Sequence, residues 1–248
     1  KFAASTVISE EVAKTIEELK DLAPLHNPAN LTGYEAFKKA LPEVGHVAVF
    51  DTAFHQTMPK ENFMYPIPYE YYEKYMVRRY GFHGTSHLYV TGRCLDLLGN
   101  PEHSRIITCH IGNGASLAAV KDGKCVNTSM GFTPLAGVMM GTRTGDIDPA
   151  IVTYLAAKLN KSADDVMNIL NKKSGLLGVS GISSDARDIV NGCKEGNELA
   201  LLARKMHVNT VANFVGQYFV ELGGCDAIVF TAGLGENAAY LRTLICNN

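Results

Sequence analysis

An α/β fold is what this sequence predicts, and three observations carry the prediction. A β-branched run, Ile106-Ile107-Thr108, leads into the Gly-rich turn Gly112-Asn113-Gly114 and a second apolar run over Ser116–Val120. A second short apolar strand over Asp226–Thr231 meets Ala232-Gly233-Leu234-Gly235-Glu236-Asn237, and a helical pattern opens at Ala238. Between them, Asn197 to Leu222 holds a long helical pattern whose apolar face includes Leu201, Met206, Val211, Phe214 and Val215. Glycine turns with little side-chain cover leave backbone N–H groups free to face an anion. Two strand-to-glycine junctions in one chain therefore suggest a nucleotide gripped from two sides. At each junction the alternative is a plain turn. Neither carries the third glycine of a dinucleotide fingerprint, and no G-x-x-x-x-G-K-[ST] loop occurs.

Composition narrows the class. With 248 residues, 46% of them apolar, the chain can bury one large core or two small ones. Charged residues are 19% and the formal net charge is -2, so there is no basic field of the kind a nucleic-acid backbone requires. No apolar run reaches the length of a membrane span and no signal peptide is visible, so no membrane partner is expected. The six cysteines stand singly, without a C-x-x-C pair, and read as reduced thiols of a cytoplasmic protein. His83-x-x-x-His87 puts two rings on one helical face, but no third ligand follows at metal-binding spacing.

In chain order, Ser9 with Glu10 and Glu11 caps an amphipathic helix expected to stop at Pro24. His26 follows in a turn-rich loop. A short helix is expected over Thr32–Ala40 and a strand over Val47–Phe50, delivering Asp51 at its carboxyl end, where α/β folds open their ligand crevices. The alternative is that Asp51 caps the next turn. Tyrosines at 65, 69, 71, 72, 75 and 80 mark a packed surface or an interface. Arg78–His87 places His83 just before a helix over Ser86–Leu98, where an anion is favoured. Arg143, framed by Gly141, Thr142, Thr144 and Gly145, reads as a fork for phosphate or carboxylate oxygens, the alternative being an ion pair with Asp146 or Asp148. Asp148-Pro149 starts a helix over Ala150–Leu159, and Ser162 with Asp165 makes a capping box. Gly175–Gly181 reads as a flexible small-residue segment. Ser183–Asp188 either cradles a ribose or caps the next helix.

Together FDTAFHQTMP (50–59), RRYGFHGTSH (78–87), HIGNGAS (110–116), GTRTGDIDP (141–149), LAPLHNP (22–28), SSDARD (183–188) and FTAGLGEN (230–237) resemble the acetate kinase family, the group that also holds propionate and butyrate kinases. The resemblance implies a sugar kinase/Hsp70/actin-like architecture, with ribonuclease-H-like domains around a nucleotide cleft. It implies reversible transfer of the ATP γ-phosphoryl group to acetate, with ATP/ADP and Mg²⁺ as cofactors. A short-chain carboxylate substrate and a homodimer follow from it too. By motif, Asp51, His83 and Arg143 correspond to the catalytic trio and His26 to a substrate-side histidine. His110, Ile111, Gly112, Asn113 and Gly114 correspond to the phosphate-facing hairpin, Asp185, Ala186 and Arg187 to the nucleoside segment, and Gly233, Leu234, Gly235, Glu236 and Asn237 to the adenosine-side loop. The chain opens on Lys1, and the family's phosphate-facing first strands and its last segment are not seen. The expectation is therefore a central fragment lacking both family termini, with the first domain incomplete. Residues 1–51 would be the remainder of an N-terminal acyl and phosphate-side domain, and 52–248 a nucleotide-binding and dimerisation domain lacking its end. A propionate or butyrate kinase, and a non-catalytic actin/Hsp70-like nucleotide-binding module, are the alternatives.

Overall fold

The structure is a computed structural model that describes residues 2–20 and 27–248. Strand β1 (Thr6–Val7), helices α1 (Glu10–Glu18) and α2 (Asn27–Ala40) and strand β2 (Val47–Ala48) come first. A 3₁₀ turn at Ala53–Thr57 and helices α3 (Lys60–Phe63), α4 (Glu70–Tyr75) and α5 (Gly84–Leu97) lead to strands β3 (Arg105–Ile111), β4 (Ala115–Lys121) and β5 (Lys124–Thr128). Helices α6 (Ala150–Leu159), α7 (Ala163–Lys172), α8 (Gly175–Ser180), α9 (Ala186–Lys194) and α10 (Glu198–Leu222) follow, then β6 (Ala227–Thr231), α11 (Ala232–Asn237) and α12 (Ala239–Cys246).

The main sheet has the order β5-β4-β3-β6. Strands β3, β4 and β5 form an antiparallel meander, with Arg105 opposite Lys121 and Ile111 opposite Ala115. After the helical excursion, β6 returns beside β3 in parallel, from Ile106↔Ala227 to His110↔Thr231. The start of that pairing is pinned by Arg105, whose Nη2 donates to Asp226 Oδ1 at 2.6 Å while its backbone N–H donates to Oδ2 at 2.7 Å. Parallel pairing sends the carboxyl ends of β3 and β6 the same way. The two glycine junctions therefore emerge side by side, and a Cβ built on Gly112 would sit 3.7 Å from that of Ala232.

Period-two alternation divides β3 between two cores. Ile107, Cys109 and Ile111 pack with Leu117 and Ala119 against Val211, Tyr218 and Leu222 of α10 and Leu241 and Ile245 of α12. Ile106 packs on the other face with Ala118, Val120, Cys125, Met58 and Cys94. That second face turns polar toward its carboxyl end, at Thr108 and His110, where α5 crosses it.

Several elements differ from expectation. Helix α2 begins at Asn27 rather than Thr32 and α5 at Gly84 rather than Ser86, whereas the strand expected over Val47–Phe50 is confined to Val47–Ala48. The Gly175–Gly181 segment is helical as α8, closed by Gly181 at φ +68°. Gly175 has no room for a side chain, since a Cβ there would collide with Met140 O and crowd the Arg143 backbone. The loop expected at Ala232–Asn237 is α11. Other expectations coincide: Ser9 caps α1, Asn197 caps α10, Gly223 closes it, and Ser162 and Asp165 form the reciprocal capping box. The expected stop at Pro24 lies outside the described residues. The N-terminal segment makes its own pairings: β1 with β2 through Thr6↔Ala48, Phe2 stacked on Phe50 at 4.4 Å, and α1 against α2.

Candidate active site

Asp51, His83 and Arg143, far apart in sequence, line one cavity of about 660 Å³. Asp51 leaves the end of the β2 segment and reaches the start of α5. Its Oδ2 accepts the His83 backbone N–H at 2.8 Å and its carbonyl accepts the Gly84 N–H at 2.8 Å. This double clasp holds His83 at φ +58°, a left-handed conformation that non-glycine residues adopt rarely. Gly84 is required there because a Cβ would collide with the Asp51 carbonyl. Asp51 thus does not cap the next turn; it fixes the residue before α5. The preceding loop is anchored by Arg79, whose Nη1 donates to Thr128 O at 2.7 Å, and by Gly81, where a Cβ would run into the His55 ring and Thr128.

The His83 ring stacks on His110 with centroids 4.0 Å apart and planes 17° from parallel. Its Nδ1 meets Ser116 Oγ at 2.8 Å. Burial, with His110 and Arg143 close by, pushes its pKa down to about 4, so the ring is neutral at neutral pH. Arg143 donates through Nη1 to Pro134 O at 3.2 Å and lies near Met140 Sδ. Among the described residues no carboxylate pairs with it: Asp146 accepts from the Gly137 N–H and Asp148 from the Ala150 N–H. Its guanidinium is half-buried, which lowers its pKa by desolvation, and much of its donor fork is uncommitted. A Cβ on Gly114 would lie 3.4 Å from Arg143 Nη1 and 3.5 Å from His83 Nε2. The Gly112–Gly114 turn therefore passes directly over the two polar tips.

On the other side of that turn lies a second cavity of about 810 Å³. Gly112 and Asn113 line it from the turn after β3, Gly233, Leu234 and Asn237 from α11, and Asp185, Ala186 and Arg187 from the N-cap and first turn of α9. Asp185 caps α9 by accepting the Arg187 N–H at 2.8 Å and pairs with the Arg187 guanidinium at 2.5 Å, which holds its carboxyl at about 2. Five predicted residues do not line this cavity, Gly114 being the one that sits over the His83 and Arg143 tips. Ile111 is fully buried in the core, Gly235 packs over Phe230 and Cys109, Glu236 accepts from Thr231 Oγ1 at 3.2 Å, and His110 lies behind His83. His26 lies outside the described residues.

Sequence reasoning missed His207 and Tyr240, which line the same cavity. His207 is almost fully buried, and its Nδ1 lies 2.9 Å from Met139 O, an acceptor only. That assigns the proton to Nδ1 and leaves Nε2 a bare acceptor with no partner among the described residues. A histidine inside the apolar face of the longest helix was the available signal.

A ribonuclease-H-like sheet whose β3 and β6 ends carry glycine turns, set between two cavities, defines a fold of the sugar kinase/Hsp70/actin class. Within that class the chain belongs to the acetokinase family, whose model matches residues 1–248. It is 59% identical over 243 residues to an acetate kinase of Bacillus velezensis, covering 98% of this chain and 62% of that protein. An acetate kinase of Pseudothermotoga lettingae is 56% identical over 100% of this chain and 61% of its own length. Among solved structures, acetate kinase from Porphyromonas gingivalis superposes with TM-score 0.96 at 50% identity, over 100% of this chain and 62% of that one. A propionate kinase from Francisella tularensis superposes with TM-score 0.95 at 45% identity, over 99% and 64%. The chain thus spans 62% of the length of the first of these relatives. Against the expectation of an incomplete first domain, these matches are not confined to part of the chain. The family model and the family fold run over the whole chain, including the N-terminal segment whose strands pair with each other. Among the described residues no helix is long and apolar enough to cross a membrane.

Proposed function

We propose that the protein transfers the γ-phosphoryl group of ATP reversibly to acetate, giving acetyl phosphate and ADP. The observation that carries this reading is the meeting of the His83 and Arg143 tips at the Gly112–Gly114 turn, between the two cavities. The family membership supports it. Phosphoryl transfer requires mainly positioning and electrostatic stabilisation. In this reading the 810 Å³ cavity takes the nucleoside, with Asp185 and Arg187 at its polar edge and the α11 backbone along one wall. The Gly112 N–H is given to Gly114 O at 3.0 Å, so the Asn113 and Gly114 N–H groups of the turn are the ones that face the phosphates. Arg143 contributes a rigid donor fork to the equatorial oxygens of the transferring group. His83 contributes a neutral N–H. The acyl group enters the 660 Å³ cavity beside Phe82, Phe132 and Pro134, and its carboxylate, already ionised at neutral pH, needs no general base.

Magnesium fits this arrangement as a nucleotide-borne ion. Among the described residues no three His, Cys, Asp or Glu side chains gather to hold a metal, and Mg²⁺ is commonly held by substrate phosphates, its own waters and one or two carboxylates. Asp51 is solvent-exposed and uses one oxygen on His83, which leaves the other for the ion's hydration shell. The ion, when bound, neutralises phosphate charge. The division at residue 51, between an acyl-side segment and the nucleotide-side body, belongs to the same proposal, as does a homodimer.

Hydroxylamine trapping with ATP, Mg²⁺ and either acetate or propionate tests the reading. Hydroxamate well above a protein-free control is expected, with acetate the better acceptor. Faster product from propionate would reassign the acyl substrate, as the likeness to the propionate kinase allows. Nucleotide binding without any hydroxamate would reduce the protein to a binding module.

A further inference from the structure

Behind His83 lies a buried polar chain that the proposed reaction does not itself call for. His83 and His87 stand one turn apart on the same face of the α5 start, and Thr108, His110 and Ser116 occupy the sheet face beneath them. Ser116 Oγ lies 2.8 Å from His83 Nδ1 and 2.8 Å from His87 Nε2. His87 Nδ1 lies 2.7 Å from Thr108 Oγ1, whose one other partner among the described residues, Ala118 O, is at 3.5 Å. Thr108, Ser116 and His87 are all buried from solvent.

We infer that Thr108, His87 and Ser116 form a one-way hydrogen-bond relay that fixes the tautomer of His83, so that Nε2–H points at the Gly112–Gly114 turn as a donor. The inference deepens the role given to His83 above and rests on that reading for its catalytic meaning, not for its geometry. Both histidines are neutral and each hydroxyl has one proton, so the chain can run in only two directions. In one, Thr108 donates to His87 Nδ1, His87 Nε2–H to Ser116, and Ser116 to His83 Nδ1, which leaves the proton of His83 on Nε2. In the other, every bond reverses, Thr108 must donate to Ala118 O, and His83 offers the cleft a bare lone pair. The first direction uses the 2.7 Å contact for the Thr108 hydroxyl; the second relies on one at the 3.5 Å limit of hydrogen bonding. A lone pair facing a phosphoryl oxygen would repel it, so the direction of the relay decides whether His83 stabilises or opposes transfer. Thr108, His87 and Ser116 are positioning residues.

The test is ¹⁵N NMR of the histidine-labelled whole protein at pH 7, without substrates. The wild type is expected to show His83 with a protonated Nε2 and a bare Nδ1, two well-separated resonances. Ser116→Ala, and separately Thr108→Val, should draw the two together as the tautomers mix; Thr108→Ser should restore their separation. Turnover should fall about tenfold in Ser116→Ala with the acetate KM held, less than the ~10²–10³-fold cost of losing an electrostatic donor itself. A wild-type proton on Nδ1 of His83 would overturn the inference. So would a His83 spectrum unchanged in both variants. Because the spectra need no turnover, a sample that shows the relay but forms no hydroxamate would fail the kinase reading alone.

Discussion

His83 is held by its backbone on one side and its ring on the other. Asp51 clasps its N–H and, through its own carbonyl, that of Gly84; Ser116 and the His110 stack hold the imidazole. Arg143 stands opposite, its Nη1 donating to Pro134 O and lying near Met140 Sδ, so its removal should leave the fold intact while abolishing charge stabilisation. Arg143→Ala is expected to lower kcat by about 10²–10³-fold while changing the acetate KM much less. A raised KM at unchanged kcat, read from steady-state hydroxamate assays, would make it a substrate anchor instead. Asp51→Asn separates its two proposed roles. The amide oxygen can still accept the His83 N–H, so the His83 ring should keep its place, but the negative charge facing the ion's waters is gone. Turnover should fall and should not recover at saturating Mg²⁺. Near-complete activity would confine Asp51 to its structural clasp. At this scale the three polar residues were legible because charged or titratable groups beside glycines and strand ends have few purely structural uses. The contacts that orient them were not, because Ser116 and Thr108 are small residues inside apolar strand runs and only the register brings them beneath α5.

Elements that carry their own stop signals agree with the reading of the sequence, whereas those defined by packing do not. Ser162 begins α7 as written: its Oγ accepts the Asp165 N–H at 3.1 Å and Asp165 Oδ2 accepts back from the Ser162 N–H and hydroxyl. Ser162→Ala should destabilise the protein by about 1 kcal/mol, visible as a lower midpoint in urea with an unchanged m-value; no shift would mean that α7 is held by Val166 and Leu170 alone. Helices α8 and α11, by contrast, are built from glycines, leucines and small residues that read as loops in isolation. In α8 the backbone is drawn into register by Leu176 N–H to Met140 O and Leu177 N–H to Gly141 O, both across to the Arg143 loop. In α11 Asn237 Nδ2 donates back to Gly233 O at 2.9 Å. Those bonds are long-range or cap-like, and no local propensity announces them. The two glycine junctions were correctly placed, and it is the sheet that makes them neighbours.

Across the whole molecule, burial of imidazole couples folding to pH. His55, His83, His87, His110 and His207 all have depressed pKa values, each with desolvation as the first cause, His83 down to about 4. An unfolded chain would protonate the same groups near the ordinary histidine value of about 6.5. Below that pH the unfolded state binds more protons than the folded one, so stability rises with pH through this window and falls as acid is added. The loss begins near pH 6.5 and continues toward the folded pKa values, near pH 4 for His83. Each fully engaged group contributes ~1.4 kcal/mol per pH unit. Four of the five rings contact one another around α5 and β3, so charging one raises the cost of charging the next. Urea unfolding at pH 7.5, 6.5, 5.5 and 5.0 should therefore show a slope that is flat at first and then exceeds one proton per molecule below pH 6. The same titration should leave turnover little changed between pH 7.5 and 6, because His83 enters the proposed reaction as a neutral donor and does not change charge there. A bell-shaped rate profile with an acid limb near 6.5 would require a protonated His83 and a less buried cluster. Flat stability down to pH 5 would mean that these imidazoles are hydrated in the folded protein.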